Sequence, residues 1–71
     1  MWVRSQWKNG LFKCDSFETQ TNCVYGTTTY GKCVCLGYYS TQEKALKVLD
    51  MLSEHTGSKY PFFIPQDSEV D

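Results

Sequence analysis

In the second half of the chain the apolar positions recur at helical spacing. Ala45, Val48, Leu49 and Leu52 fall on one stripe, Leu46 and Met51 lie on its shoulders, and Lys44, Lys47, Asp50 and Glu54 take the opposite side. Ser40-Thr41-Gln42-Glu43 has the spacing of a capping box, in which the Ser40 hydroxyl accepts from the Glu43 amide and the Glu43 carboxylate reaches back to the Ser40 amide. The pattern predicts a helix starting at Thr41. Gly57 stands where a left-handed residue ends a helix, so the element closes near Thr56.

The first half alternates instead. β-Branched and aromatic residues fill Trp2 to Gln6, Leu11 to Glu18, Cys23 to Thr27 and Lys32 to Tyr39, with turn residues at Asn9-Gly10, Thr19 to Asn22 and Tyr30-Gly31. Val34 and Leu36 share a face, and a bulge at Gly37 would return Tyr39 to it. After the helix, Tyr60 and Phe62-Phe63-Ile64 lie between Pro61 and Pro65, a pattern that suits an edge strand because proline cannot donate to a central ladder. The fold class expected is α+β: an antiparallel meander of four to five strands on one amphipathic helix, with a short C-terminal edge strand or arm. Residues 1–65 read as a single domain. Residues 66–71 carry Asp67, Glu69 and Asp71 and read as an acidic, solvated tail.

Composition sharpens this picture at two points. A chain of 71 residues buries only about 60% of the surface its unfolded form exposes, so its eleven aromatic residues should supply much of the core. They are also more rings than a two-layer domain of this size needs, and the surplus is expected at a binding surface, led by Trp2, Trp7, Tyr60, Phe62 and Phe63 with Arg4 between the tryptophans. The formal net charge of −1 gives the whole chain no pull toward nucleic acid or anionic lipid, although Arg4, Lys8 and Lys13 could form a local patch. No apolar run approaches the roughly 20 residues a membrane span needs, and no export signal is visible, so the expected compartment is the cytoplasm. There Cys14, Cys23, Cys33 and Cys35 stay reduced and read as small buried hydrophobes. Zinc is disfavoured because Cys33 and Cys35 sit at strand spacing, and no cofactor is expected.

Candidate chemistry is sparse. His55, the one histidine, falls at the end of the helix, where its charged form would favour the C-terminal dipole. No nucleophile elbow, acid–histidine pair or glycine-rich phosphate loop accompanies it, so no enzyme activity is expected.

Three stretches carry a resemblance: Met1-Trp2-Val3-Arg4-Ser5-Gln6, the long segment from Leu36-Gly37-Tyr38-Tyr39-Ser40-Thr41 through Met51, and Phe63-Ile64-Pro65-Gln66-Asp67. Together they resemble small accessory proteins carried by phages and mobile elements of Gram-positive bacteria. The resemblance implies no catalytic residues. It implies instead a non-enzymatic protein, of anti-defence type, that inhibits a host immune effector such as a CRISPR nuclease by protein–protein contact. The alternatives are a homo-oligomer that sequesters a nucleotide immune signal between copies, and, disfavoured by the net charge, a small nucleic-acid-binding regulator.

Overall fold

The computed structural model describes residues 1–57 and 59–71. Four strands run as an antiparallel meander: β1 (Trp2–Arg4), β2 (Leu11–Gln20), β3 (Cys23–Thr28) and β4 (Cys33–Tyr38). The helix α1 (Gln42–His55) then crosses the sheet, and β5 (Phe62–Phe63) returns to pair with β1 in parallel. A single 3-10 turn, Asp67–Glu69, follows. The sheet order is β4-β3-β2-β1-β5, so the architecture is the expected α+β arrangement of one helix on a five-stranded sheet, with the last strand at the edge.

The long β2 makes the sheet curl. Leu11 to Lys13 pair with β1, Ser16 to Gln20 pair with β3, and the register slips between Cys14 and Ser16, where a bulge increases local twist. The curl brings the loop after β1 around to the far edge, where the Gln6 amide donates to the Leu36 carbonyl of β4 at 2.8 Å. A second slip leaves Leu36 unmatched, between the pairs Val24↔Gly37 and Tyr25↔Cys35. Tyr39 does return to the core face, as the alternation predicts, but the unpaired residue is Leu36 rather than Gly37.

Helix α1 begins one residue later than the capping-box spacing implies. Thr41 is the N-cap and its hydroxyl accepts from the Lys44 amide at 3.2 Å, while the Ser40 amide is held by the Asp67 carboxylate at 2.8 Å. A distant carboxylate thus takes the role expected of Glu43. At the other end Gly57 adopts φ +94°, the left-handed conformation that only glycine reaches without strain. The stripe Ala45, Val48 and Leu52 is buried, and Leu46 and Met51 face solvent.

The core is aliphatic, contrary to the expectation from composition. Val3, Val24, Leu36, Ala45, Val48, Leu52, Ile64 and Val70 form it, and Tyr39 is the one fully buried aromatic ring among the described residues. Phe12, Phe17 and Phe62 pack on its margin. At Gly26 the core face of β3 is already filled from the neighbouring strands: a methyl there would lie 2.8 Å from Cys14 Sγ of β2 and 2.9 Å from Leu36 Cδ1 of β4. Gly26→Ala is accordingly expected to destabilise the fold by about 1–3 kcal/mol, as overpacked cores do, measured as a lowered urea midpoint.

Residues 66–71 are docked rather than solvated. Val70 is 3% exposed within the core cluster, Asp67 accepts from Ser40 and pairs with Lys44 at 3.4 Å, and Gln66 Nε2 donates to the Gln6 carbonyl at 2.6 Å. The acids made this segment look solvated, yet one apolar residue, two bonds between side chain and backbone and one ion pair fix it. The Ser40 amide, with Lys44 beside it, holds the Asp67 carboxyl below the usual carboxylate range. Tyr39 shows the opposite effect: burial, reinforced by Asp67 and Glu69, pushes its phenol well above the ordinary value, and its hydroxyl donates to the Pro65 carbonyl at 2.7 Å. The stabilisation from keeping this phenol neutral is complete below about pH 10, the unfolded tyrosine value, and is lost as pH rises beyond it toward the folded one. In an ultraviolet absorbance titration Tyr39 should ionise only together with unfolding, and Tyr39→Phe should remove that alkaline component.

Candidate functional site

Alternation along β1, β2 and β5 sorts the candidate residues onto two faces. Val3, Phe12 and Phe62 point to the core, whereas Trp2, Arg4, Leu11, Lys13 and Phe63 point away from the helix. The register places Trp2 opposite Lys13, and Arg4 between Leu11 and Phe63. Trp2, Leu11 and Phe63 remain 48%, 54% and 63% exposed, so three large apolar side chains stand together on an open sheet face.

Arg4 is held in place there. Its Nε and Nη2 donate to the Lys8 carbonyl at 3.2 and 2.9 Å, and its guanidinium lies 5.8 Å from the centroid of the Phe63 ring, within cation–π range. Lys8, with φ 62°, provides the left-handed turn that presents this carbonyl. The turn was expected at Asn9-Gly10, but Gly10 is not left-handed; the Ser5 amide instead donates to the Gly10 carbonyl across a wider loop.

Two concavities meet at Leu11. One, about 310 Å³, is lined mainly by apolar groups of Trp2, Leu11, Phe12 and Tyr30, with Lys13 and Lys32. The other, about 360 Å³, is lined by Arg4, Lys8, Leu11, Pro61 and Phe63 beside the Asn9-Gly10 backbone. Of the remaining candidates, Trp7 is exposed in the loop after β1 but lines neither concavity. Tyr60 is exposed beside Lys59, whose ammonium lies 5.8 Å from its ring centroid, and its carbonyl contacts His55 Nε2 at 2.8 Å. Phe62 packs edge-on against His55 with centroids 5.2 Å apart, which turns it inward and leaves Phe63 as the outward ring of the pair. Thus Trp2, Arg4 and Phe63 come together, Trp7 and Tyr60 lie apart, and Phe62 belongs to the core margin. Leu11 is not among the residues that composition marks, and Lys13 enters there only through the local patch with Arg4 and Lys8, although the alternation Leu11-Phe12-Lys13-Cys14 marks both as outward neighbours of β1.

Both sheet edges are obstructed. Gln6 lies along β4 as a substitute strand, its amide on the Leu36 carbonyl and its side-chain Oε1 accepting from the Tyr38 amide at 3.0 Å. At the other edge β5 is two residues long, with Pro61 before it and Pro65 soon after. Contact with another molecule is therefore favoured across the face, not by strand addition.

The cysteines correct another expectation: all four are free thiols, but only Cys14 is buried, and Cys33 and Cys35 are exposed. Cys23, Tyr25, Cys33 and Cys35 share the outer face of the β3–β4 hairpin. Burial, then the neighbouring Cys23, push the Cys35 thiol up, and burial does the same to Cys14, so both are held away from the thiolate form a nucleophile needs. Among the described residues no three His, Cys, Asp or Glu side chains are grouped to hold a metal ion, and no helix is long and apolar enough to cross a membrane.

The fold and face together define a small α+β protein with an open, apolar and cationic sheet surface. Compared with known proteins, the chain matches no family model, no curated protein and no solved structure.

Proposed function

We propose that the protein is a non-enzymatic binding protein that docks the outer face of β5-β1-β2 on another protein and acts by occupying that partner's surface. The observation that carries this reading is the cluster of Trp2, Leu11 and Phe63, each about half exposed or more around a fixed Arg4, on a face whose edges are closed to strand pairing. Aromatic and arginine side chains of this kind are the usual anchors of protein interfaces. The resemblance to phage accessory proteins supplies the setting, with a bacterial defence effector as the partner.

The test is quantitative affinity capture from a defence-positive host lysate with three immobilised proteins: wild type, Trp2→Ala/Leu11→Glu, and Leu46→Glu on the opposite, helical side. One host protein should be retained by wild type and the Leu46 variant and reduced at least about tenfold by the face variant, a loss of about 1.4 kcal/mol. Equal capture by all three correctly folded proteins removes this face from the function.

A further inference from the structure

The charges of the chain are segregated with respect to this face. Four of the seven basic residues, Arg4, Lys8, Lys13 and Lys32, line the two concavities around Leu11, and none of the eight acidic residues does. Glu43, Asp50 and Glu54 lie on α1, Asp67, Glu69 and Asp71 lie in the docked C-terminal segment, and Asp15 and Glu18 lie farther along β2 than Lys13, with Asp15 lining the hollows beside Phe17 and Thr56. Of the other three cations, Lys44 pairs with Asp67, Lys47 donates to the Asp71 carbonyl, and Lys59 lies over Tyr60. A chain of net charge −1 thus presents a cationic face because its acids are placed elsewhere.

We infer that the partner is an acidic protein segment that seats an apolar side chain in the concavity between Trp2, Leu11 and Tyr30 and sets carboxylates against Arg4, Lys8, Lys13 and Lys32. This rests on the reading of the face as a protein-binding surface and adds the chemistry of what binds there. The Arg4 guanidinium has two of its donors on the Lys8 carbonyl, and its remaining N–H groups are held in a fixed fork suited to a carboxylate. The centre of the face is aliphatic: Leu11 separates the cationic concavity from the mainly apolar one, so a bound chain crosses from a charge contact to an apolar anchor. A nucleic-acid strand would use stacked rings along a continuous basic groove. Here the basic area is confined to one face, and the eight carboxylates elsewhere oppose a long polyanion.

The test uses the full chain, labelled with ¹⁵N, and follows its amide shifts at low salt. The probes are a short synthetic peptide of Asp and Glu around one Phe and one Leu, the same peptide with Asn and Gln in place of the acids, and an oligothymidylate of equal length. The acidic peptide should shift Trp2, Arg4, Leu11, Lys13 and Phe63, bind about tenfold or more tightly than its amide counterpart, and weaken as salt is raised. Arg4→Gln/Lys13→Gln should abolish that preference while leaving the spectrum of the free protein folded. Equal binding of the amide peptide overturns the acidic assignment but leaves a protein-binding face. Tighter binding of the oligothymidylate makes the face a nucleic-acid site, and shifts that change on dilution of the free protein make it a self-association surface. If no probe moves these residues the acidic partner is excluded, and the lysate capture then decides independently whether the face binds protein at all.

Discussion

Replacing Gln6 with leucine is expected to lower the stability of the fold by about 2–3 kcal/mol, a larger effect than a polar loop residue ordinarily has. Gln6 is 5% exposed, and all four of its hydrogen-bonding groups are used. Its amide donates to Leu36, its carbonyl accepts from Gln66, its Oε1 accepts from the Tyr38 amide, and its Nε2 donates to the Pro65 carbonyl at 3.2 Å. Leucine preserves most of the volume and removes the side-chain pair. The Pro65 carbonyl keeps the Tyr39 hydroxyl, so the main cost is the Tyr38 amide, which loses its acceptor at the β4 edge. Urea denaturation should show a lower midpoint with an unchanged slope; a change below about 0.5 kcal/mol would mean that water replaces the glutamine without penalty.

Deleting residues 66–71 should have a larger effect still, about 3–5 kcal/mol. Burial of Val70 accounts for about 1.5 kcal/mol of this. The bond of Gln66 to Gln6 adds roughly 1 kcal/mol, and the charge-assisted bond of Asp67 to Ser40 is lost with it. Domains of this size sit near the lower end of the usual 5–15 kcal/mol, so the truncated chain should be substantially unfolded at 37 °C. Thermal unfolding followed by circular dichroism measures this directly. A solvated acidic tail, the reading that composition favours, would leave the midpoint unchanged.

These two residues also show what the sequence conveys and what it does not. The helix, the meander and the edge strand are written in periodicity: an apolar stripe at helical spacing, alternation in the strands, and prolines flanking Phe62-Phe63. Gln6 and Val70 carry no such mark, because a glutamine in a loop is fixed by Pro65 and Gln66, about 60 residues away, and a valine among acids is buried by joining a core drawn from the sheet and α1. The helix cap moved for the same reason, since Ser40 is held by Asp67. The candidate face was half legible. Residue type pointed to Trp2, Arg4 and Phe63, but only the parallel pairing of β5 with β1 shows that they adjoin, and that Phe62 turns inward while Leu11 and Lys13 join the face. The stretches Met1 to Gln6, Leu36 to Met51 and Phe63 to Asp67 meet at Gln6, Leu36 to Ser40 and Pro65 to Asp67. Part of each stretch therefore serves to close the fold, while Trp2, Arg4 and Phe63 lie on the opposite, outward side of the same segments.

The bonds that Gln6 makes with Pro65 and Gln66 span 59 and 60 residues, while the β2–β3 and β3–β4 pairings join neighbours in the chain. Closing so long a loop costs more entropy than forming a hairpin, so the clasp between the two ends belongs to the late, downhill part of folding. Its loss should therefore appear in how long the native state lasts rather than in how quickly it forms. In stopped-flow experiments Gln6→Leu should steepen neither arm but raise the unfolding rate, with folding nearly unchanged. Gln6 thus acts on lifetime: it keeps β1 and β5, and with them the face that carries Trp2, Arg4 and Phe63, from parting.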